Sequence, residues 1–173
     1  MKKYKILIQK ERIMKRVKEL AKEIVRDNKK EIFIICVLKG ATIFHADLIR
    51  EIAFLDGPKI YSDYIRASSY SGMNSKGGVN LLTEINVEGK DVIIVEDIID
   101  TGRTLKKIKS RFRKEGASSV KICALLDKPS GRINNIKGDY IGFVVQNKFV
   151  VGYGLDYNEK FRELPFIAEI KKT

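Results

Sequence analysis

Asp91-Val92-Ile93-Ile94-Val95-Glu96-Asp97-Ile98-Ile99-Asp100-Thr101-Gly102-Arg103-Thr104-Leu105-Lys106-Lys107 is the stretch from which the fold can be read. It opens on an apolar, β-branched run, Val92 to Val95. A short run of that composition suits a strand buried on both faces, as at the centre of a parallel sheet. Two carboxylates, Glu96 and Asp97, stand at its C-terminal edge, and Asp100 follows. Thr101-Gly102-Arg103-Thr104 is a polar turn, after which Leu105, Ile108 and Phe112 keep helical spacing.

Strand, polar turn and helix start together suit a phosphate. Amides at a helix N-terminus lack intrahelical partners and carry partial positive charge. Gly102 allows close backbone approach, and Thr101 and Thr104 add hydroxyl donors. The acids beside the turn then face something polyhydroxylated, cationic or metal-bound. The plainer reading is a Thr-capped helix with acids favouring its positive end. An acid pair, a third acid and then T-G-x-T is a more specific pattern than such a cap requires.

The remaining sequence bounds the answer. Its 173 residues fit a single domain, 1–173, with a substantial core. Hydrophobic content is 44% and charged content 32%, which suits a soluble globular protein. No apolar run reaches the length of a membrane span. Met1-Lys2-Lys3-Tyr4 is basic but is followed by no signal-peptide apolar core, so a cytoplasmic location is expected. Cys36 and Cys123 lie in apolar runs and read as buried, reduced thiols. A lone His45 makes a His-based zinc site improbable and reads as a structural or surface residue of a helix. The net charge of +12 suits polyphosphate substrates or nucleic acid. The cations are spread from end to end, which argues against nucleic acid as the main partner.

In chain order, residues 10–29 carry Ile13, Val17, Leu20, Ala21, Ile24 and Val25 at helical spacing. Ile32 to Leu38 reads as a buried strand, ended by Lys39-Gly40-Ala41, with a helix through Phe44, Leu48, Ile49 and Ile52. This second strand–turn–helix unit places a cation, Lys39, and a permissive residue, Gly40, at its turn. Tyr61 to Ala67 reads as a strand, residues 68–78 as a polar, Gly-rich loop, and Val79 to Ile85 as another strand. Gly116 ends the helix after the signature turn. Ser119 to Leu126 is a buried strand finishing at Asp127-Lys128-Pro129, and Tyr140 to Val145 is one more. Lys128 thus stands at a strand's C-terminal end, where α/β proteins place ligands. By residue type alone, Phe149 is a core residue and Arg162 a surface one. Strands alternating with helices give an α/β class with a mainly parallel central sheet flanked by helices.

Val92 to Leu105 resembles the phosphoribosyl-pyrophosphate (PRPP) signature of the type I phosphoribosyltransferases, and E-D-I-I-D-T-G resembles their 6-oxopurine branch. Leu38-Lys39-Gly40, Ser68-Ser69-Tyr70, Leu125-Leu126-Asp127-Lys128-Pro129 and the run from Phe149 to Arg162 resemble further patches of the branch in its own order. Together they cover about Ile32 to Pro165.

The resemblance implies purine salvage: hypoxanthine or guanine joined to PRPP, with pyrophosphate released and Mg²⁺ as cofactor. Positive charge grows on the ribose as pyrophosphate departs, and oxygen ligands suit the hard ion that neutralises it. On this likeness Glu96 and Asp97 hold the ribose hydroxyls, directly or through the metal, and Asp100 manages the proton on purine N7. Asp100, Thr101, Gly102, Arg103 and Thr104 cradle the 5′-phosphate. Lys39, Gly40 and Arg162 bind pyrophosphate, at a turn that in the family can hold a non-proline cis peptide. Lys128 donates to the purine 6-oxygen, Phe149 stacks on the base, and the Val150 backbone reads its edge. Asp156 helps bind a second Mg²⁺ through water. Ser69 and Tyr70 belong to a mobile lid. The terminal segments form a small hood over the sheet, and the chain forms a homodimer or homotetramer. Phe161 and Gly131 stand where relatives often carry other residues, which leaves open the preference among hypoxanthine, guanine and xanthine. An RNA-binding regulator on the same fold is the alternative of another class. Asp100 argues against it, because such regulators have no need of an acid facing purine N7.

Overall fold

The computed structural model describes residues 4–69, 79–81 and 83–170, with nothing said of the side chains at 68, 69 and 79–81. The chain runs β1 (Tyr4–Ile8), α1 (Lys10–Asp27), β2 (Ile32–Leu38), α2 (Thr42–Ala53), β3 (Ile60–Ser69), β4 (Val79–Leu81) and β5 (Asp91–Ile99). It continues with α3 (Arg103–Lys114), β6 (Ser119–Asp127), a 3₁₀ turn (Pro129–Gly131), β7 (Tyr140–Val144), β8 (Val150–Val151) and β9 (Ile167–Ile170).

A six-stranded sheet has the order β4-β3-β2-β5-β6-β7. Its strands β3, β2, β5, β6 and β7 are parallel, and β4 adds an antiparallel edge. The middle of the sheet is apolar because both of its faces are covered. Ile34, Cys36, Ile93 and Val95 join a core with Val17, Leu20 and Ile24 of α1 and Phe44, Leu48 and Ile52 of α2. Ile35, Val37, Ile94 and Ile122 face the opposite way, into a second core with Leu105, Ile108 and Phe112 of α3. Alternation along each strand therefore feeds two cores, and each strand reads as a continuous apolar run.

The strand order reverses between two neighbours. From β2 the chain crosses through α2 to β3 on one side, and from β5 it crosses through α3 to β6 on the other. The C-terminal ends of β2 and β5 thus flank the switch point at which open α/β sheets bind ligands. Those two ends carry Lys39-Gly40 and the signature turn.

A second, three-stranded antiparallel sheet, ordered β1-β9-β8, joins the two ends of the chain. This is the expected hood. The hydroxyl of Tyr153 donates to Asp47 of α2, tying the hood to the main body.

Two expectations change at their edges. The central strand continues past Val95 to Ile99, so Glu96 and Asp97 lie within it. Of the strand expected over Val79 to Ile85, pairing among the described residues runs from Val79 to Leu81. Beyond it, Thr83 meets its neighbours through other groups: its Oγ1 accepts from Arg66 N at 3.2 Å, and its carbonyl accepts from Arg111 Nη1 at 3.0 Å. The chain then turns Ile85 and Val87 down into the α3-side core. Cys36 and Cys123 are free and buried, as expected, and burial first, then the carboxylates of Glu96 and Asp97, push the Cys36 thiol up to about 12. No described helix is long and apolar enough to cross a membrane.

Candidate active site

Residues Glu96 to Leu105 line one hollow of about 190 Å³ where β5 passes into α3. The plainer sequence reading, a Thr-capped helix, does not hold. The residue at the N-cap of α3 is Gly102, at φ 77°, and among the described residues no side chain caps the helix. Thr101 Oγ1 lies 3.4 Å from Arg103 N, a long contact. The first amides of α3 therefore remain available to an anion in the hollow. Only glycine fits at the cap. A Cβ there would take a left-handed conformation and meet Asn134 Oδ1 at 2.7 Å.

Asp100 and Lys128 come together at the rim. Lys128 Nζ is 2.7 Å from Asp100 Oδ2, and the Lys128 side chain is only 12% exposed. Lys128 is thus largely buried at the end of its strand rather than solvated. Gly131 makes room for the pair, since a Cβ at that position would lie 1.9 Å from Asp100 Oδ1 and 3.1 Å from Lys128 Cε.

Glu96 and Asp97 occupy the deeper wall. Burial, and then the charge of Asp97, holds the Glu96 carboxyl well above the usual carboxylate range. Burial also raises Asp97, while hydrogen bonds from Glu96 and the Ile98 amide and the charge of Arg162 act the other way. Two adjacent carboxyls in a dry site are poised for a cation. The Asp97 carboxylate packs onto the β2 turn, where a Cβ on Gly40 would fall 1.7 Å from Asp97 Oδ2. The Leu38–Lys39 peptide in that turn is cis.

The hood brings cations and acids to the same end. Lys39 Nζ pairs with Glu159 Oε2 at 2.9 Å, and Arg162 Nη2 with Asp156 Oδ1 at 2.8 Å and Glu159 Oε1 at 3.4 Å. Arg162 is thus engaged rather than a simple surface residue, and its Nη1 also donates to Gly154 O at 2.7 Å. Among the described residues, no group of three or more His, Cys, Asp or Glu side chains is gathered as a metal cage. Asp156 therefore does not join Glu96 and Asp97 in one cluster. Phe149 is 53% exposed, unlike a core residue, and meets Tyr157 edge to face with ring centroids 5.5 Å apart. Val150 is buried in β8, opposite Glu169. Of the lid residues, Tyr70 lies outside the described residues, and Ser69 is described only as the end of β3.

Sequence reasoning missed three residues here. Glu159, Arg132 and Asn134 carry no signal of their own in the sequence, because Arg132 and Asn134 bond to backbone carbonyls about thirty positions away and Glu159 to Lys39 across the fold.

A doubly covered parallel sheet with an anion-binding turn and paired carboxyls at its switch point defines an α/β enzyme acting on a phosphorylated ligand. Residues 3–158 match the family model described as phosphoribosyl transferase domain, and the chain belongs to that family. Among its relatives, the hypoxanthine-guanine phosphoribosyltransferase of Bacillus subtilis (strain 168) is 46% identical, over 96% of this chain and 93% of the relative. The protein of the same name from Streptococcus thermophilus (strain CNRZ 1066) is 45% identical, over 97% of this chain and 93% of the relative. A crystal structure of a hypoxanthine-guanine phosphoribosyltransferase from Bacillus anthracis, with a HEPES molecule in its active site, superposes with a TM-score of 0.88 at 44% identity, covering 96% of this chain and 98% of the other.

Proposed function

We propose that the chain transfers the phosphoribosyl group of PRPP to hypoxanthine or guanine and releases pyrophosphate, a purine-salvage reaction giving IMP or GMP. The observation that carries this reading is the Lys128–Asp100 pair at the rim of the phosphate turn. A 6-oxopurine presents an acceptor at its 6-oxygen and a titratable nitrogen at N7 on one edge. An ammonium beside a carboxylate is the complement of that edge.

The roles are those that the family likeness implies, and the placement of the residues supports them. The 5′-phosphate sits on the amides and hydroxyls of residues 100–104, which line the hollow. Glu96 and Asp97, on its deeper wall, take the ribose hydroxyls. Lys39 and Arg162 bind the pyrophosphate. Purine N9 then forms its bond to ribose C1 as the bond from C1 to the pyrophosphate oxygen breaks. The electron pair of that bond leaves with pyrophosphate, and the purine N7 proton passes to the Asp100 carboxylate. Lys128 holds the 6-oxygen, the exposed face of Phe149 stacks on the base, and the Val150 backbone reads its edge.

The donor set fits Mg²⁺. Oxygen ligands from one or two carboxylates completed by substrate phosphates are the usual way to hold that ion, and Glu96 and Asp97 supply them. Asp156 would help hold a second ion, through water. When bound, the ion neutralises charge on the departing pyrophosphate. A spectrophotometric assay of purified protein with PRPP, Mg²⁺ and each of hypoxanthine, guanine, xanthine and adenine tests the reading. Turnover with the 6-oxopurines, abolished by excess chelator, is expected. No nucleotide from any 6-oxopurine would overturn the reaction, and full activity in chelator would remove the metal.

A further inference from the structure

The segment after Lys128 grips the phosphate turn from behind, and the reaction above makes no use of it. Arg132 Nε donates to Asp100 O at 2.9 Å and Nη2 to Ile99 O at 3.1 Å, while Nη1 donates to Ile136 O. The guanidinium also pairs with the Asp127 carboxylate, and the Arg132 side chain is only 12% exposed. Asn134 Nδ2 donates to Thr101 O at 3.0 Å, and Asn134 Oδ1 accepts from Ile136 N at 3.0 Å. Lys128 N adds a bond to Ile99 O at 3.0 Å, and Ile133 N one to Thr101 O at 3.3 Å. The carbonyls of Ile99, Asp100 and Thr101, three in succession, are thus all held by residues 128–134.

A trans peptide is planar, so the carbonyl of one residue and the N–H of the next point in opposite directions. Drawing those three carbonyls backward turns the N–H groups of Asp100, Thr101 and Gly102 forward, toward the hollow these residues line. Successive amides aimed at one point make an anion-binding concavity. Arg132 suits the task because its planar fork presents several donors in fixed directions and stays charged. The Arg132 stem and Asn134 also press on Gly102, at 3.0 and 2.7 Å from where its Cβ would be.

We propose that Arg132, seated on Asp127 and seconded by Asn134, is a positioning residue for the 5′-phosphate of the donor. It touches no substrate and acts by aiming the backbone amides of the turn. The inference rests on the reaction proposed above, but it can be tested by binding alone.

The test measures ribose 5-phosphate and pyrophosphate affinity by calorimetry for the parent, Arg132→Lys, Asp127→Asn and Asn134→Ala, with melting temperature as a folding control. Asn134 is half-buried and its loss leaves the bonds of Arg132 in place, so Asn134→Ala is expected to fold even if the others do not. A hydrogen bond to a charged group is worth roughly ten- to a hundredfold in affinity. Arg132→Lys should therefore weaken ribose 5-phosphate binding by roughly ten- to a hundredfold, and Asn134→Ala by several-fold. Pyrophosphate affinity should hold in both, because its seat is at Lys39 and Arg162. In turnover, KM for PRPP should rise while KM for the purine stays. Parental ribose 5-phosphate affinity in Asn134→Ala and any other folded variant would overturn the positioning role. So would an equal loss of both ligands, which would mean only a loosened fold. A parent that makes no nucleotide from PRPP fails the reaction instead, and the ribose 5-phosphate comparison still decides this point.

Discussion

Lys128 Nζ and Asp100 Oδ2 lie 2.7 Å apart, so a cation at the end of β6 and a carboxylate after β5 form one unit. Each becomes available to a purine only by sharing the other. Asp100→Asn keeps the shape of the turn and removes the proton acceptor. Positioned proton transfer contributes about 10²–10⁴-fold. The single-turnover rate should fall by an amount in that range, with PRPP affinity little changed because the phosphate seat is largely backbone. An unaltered single-turnover rate would take Asp100 out of the chemistry.

Lys128 should decide the rejection of adenine, whose 6-amino group offers donors where the 6-oxopurines accept. An ammonium has three donors and no acceptor, so opposite adenine it would stay unpaired in a largely buried place. Sites built to pair a polar group can reject a mismatched analogue by roughly 10⁴–10⁵-fold. In Lys128→Gln, kcat/KM for hypoxanthine should drop sharply, and its ratio to the adenine value should narrow. A ratio equal to the parent's would discard the role.

Gly40→Ala should act on the metal rather than on the fold. The added Cβ would fall 1.7 Å from Asp97 Oδ2, so either the carboxylate or the turn must move. Disturbing the support of a metal ligand typically costs 10–100-fold in metal affinity or activity, and the Mg²⁺ concentration for half-maximal rate should rise by about that factor. A Mg²⁺ titration matching the parent's would show that Asp97 does not hold the ion.

The elements at the centre of the molecule were legible in the sequence, and the periphery was not. Ile32 to Leu38 is a strand over the span its apolar run marked, because a fully covered strand needs no alternation. The hood strands β1, β8 and β9 carry no comparable signal. They are five, two and four residues long and depend on pairing between the two ends of the chain. Lys39 and Asp100 sit at recognisable turns, and Glu96 and Asp97 in the strand that leads into one. Arg132 does not, since its partners are carbonyls whose direction exists only once β5 and β6 have paired.

His45 gives the fold an acid limb of its own. It is fully buried in α2, with Nε2 2.8 Å from Ser62 Oγ and Nδ1 without a partner among the described residues. Burial lowers its pKa below the ordinary histidine value. The unfolded chain therefore takes up a proton near pH 6.5 while the folded one does not. Stability from this source is complete above about pH 6.5 and is lost as pH falls toward the lower, folded value. His45→Gln should show a smaller drop in Tm between about pH 7.5 and 5.5 than the parent, whose only histidine this is. Parallel Tm profiles would assign the acid limb to other groups.

Glu159 on Lys39 and Asp156 on Arg162 mean that the cations of the β2 end and the hood are already neutralised by the chain's own carboxylates. An anion that settles there exchanges with them instead of filling a bare positive seat. Arrival is then a substitution, and departure is the same substitution run backward. The returning side chains compete the product off its cations, so a tightly charged by-product need not become a trap. The Lys39–Glu159 pair is too exposed to lend much to the standing fold. For the reaction proposed above, the effect of these ion pairs falls on the release of pyrophosphate rather than on the fold.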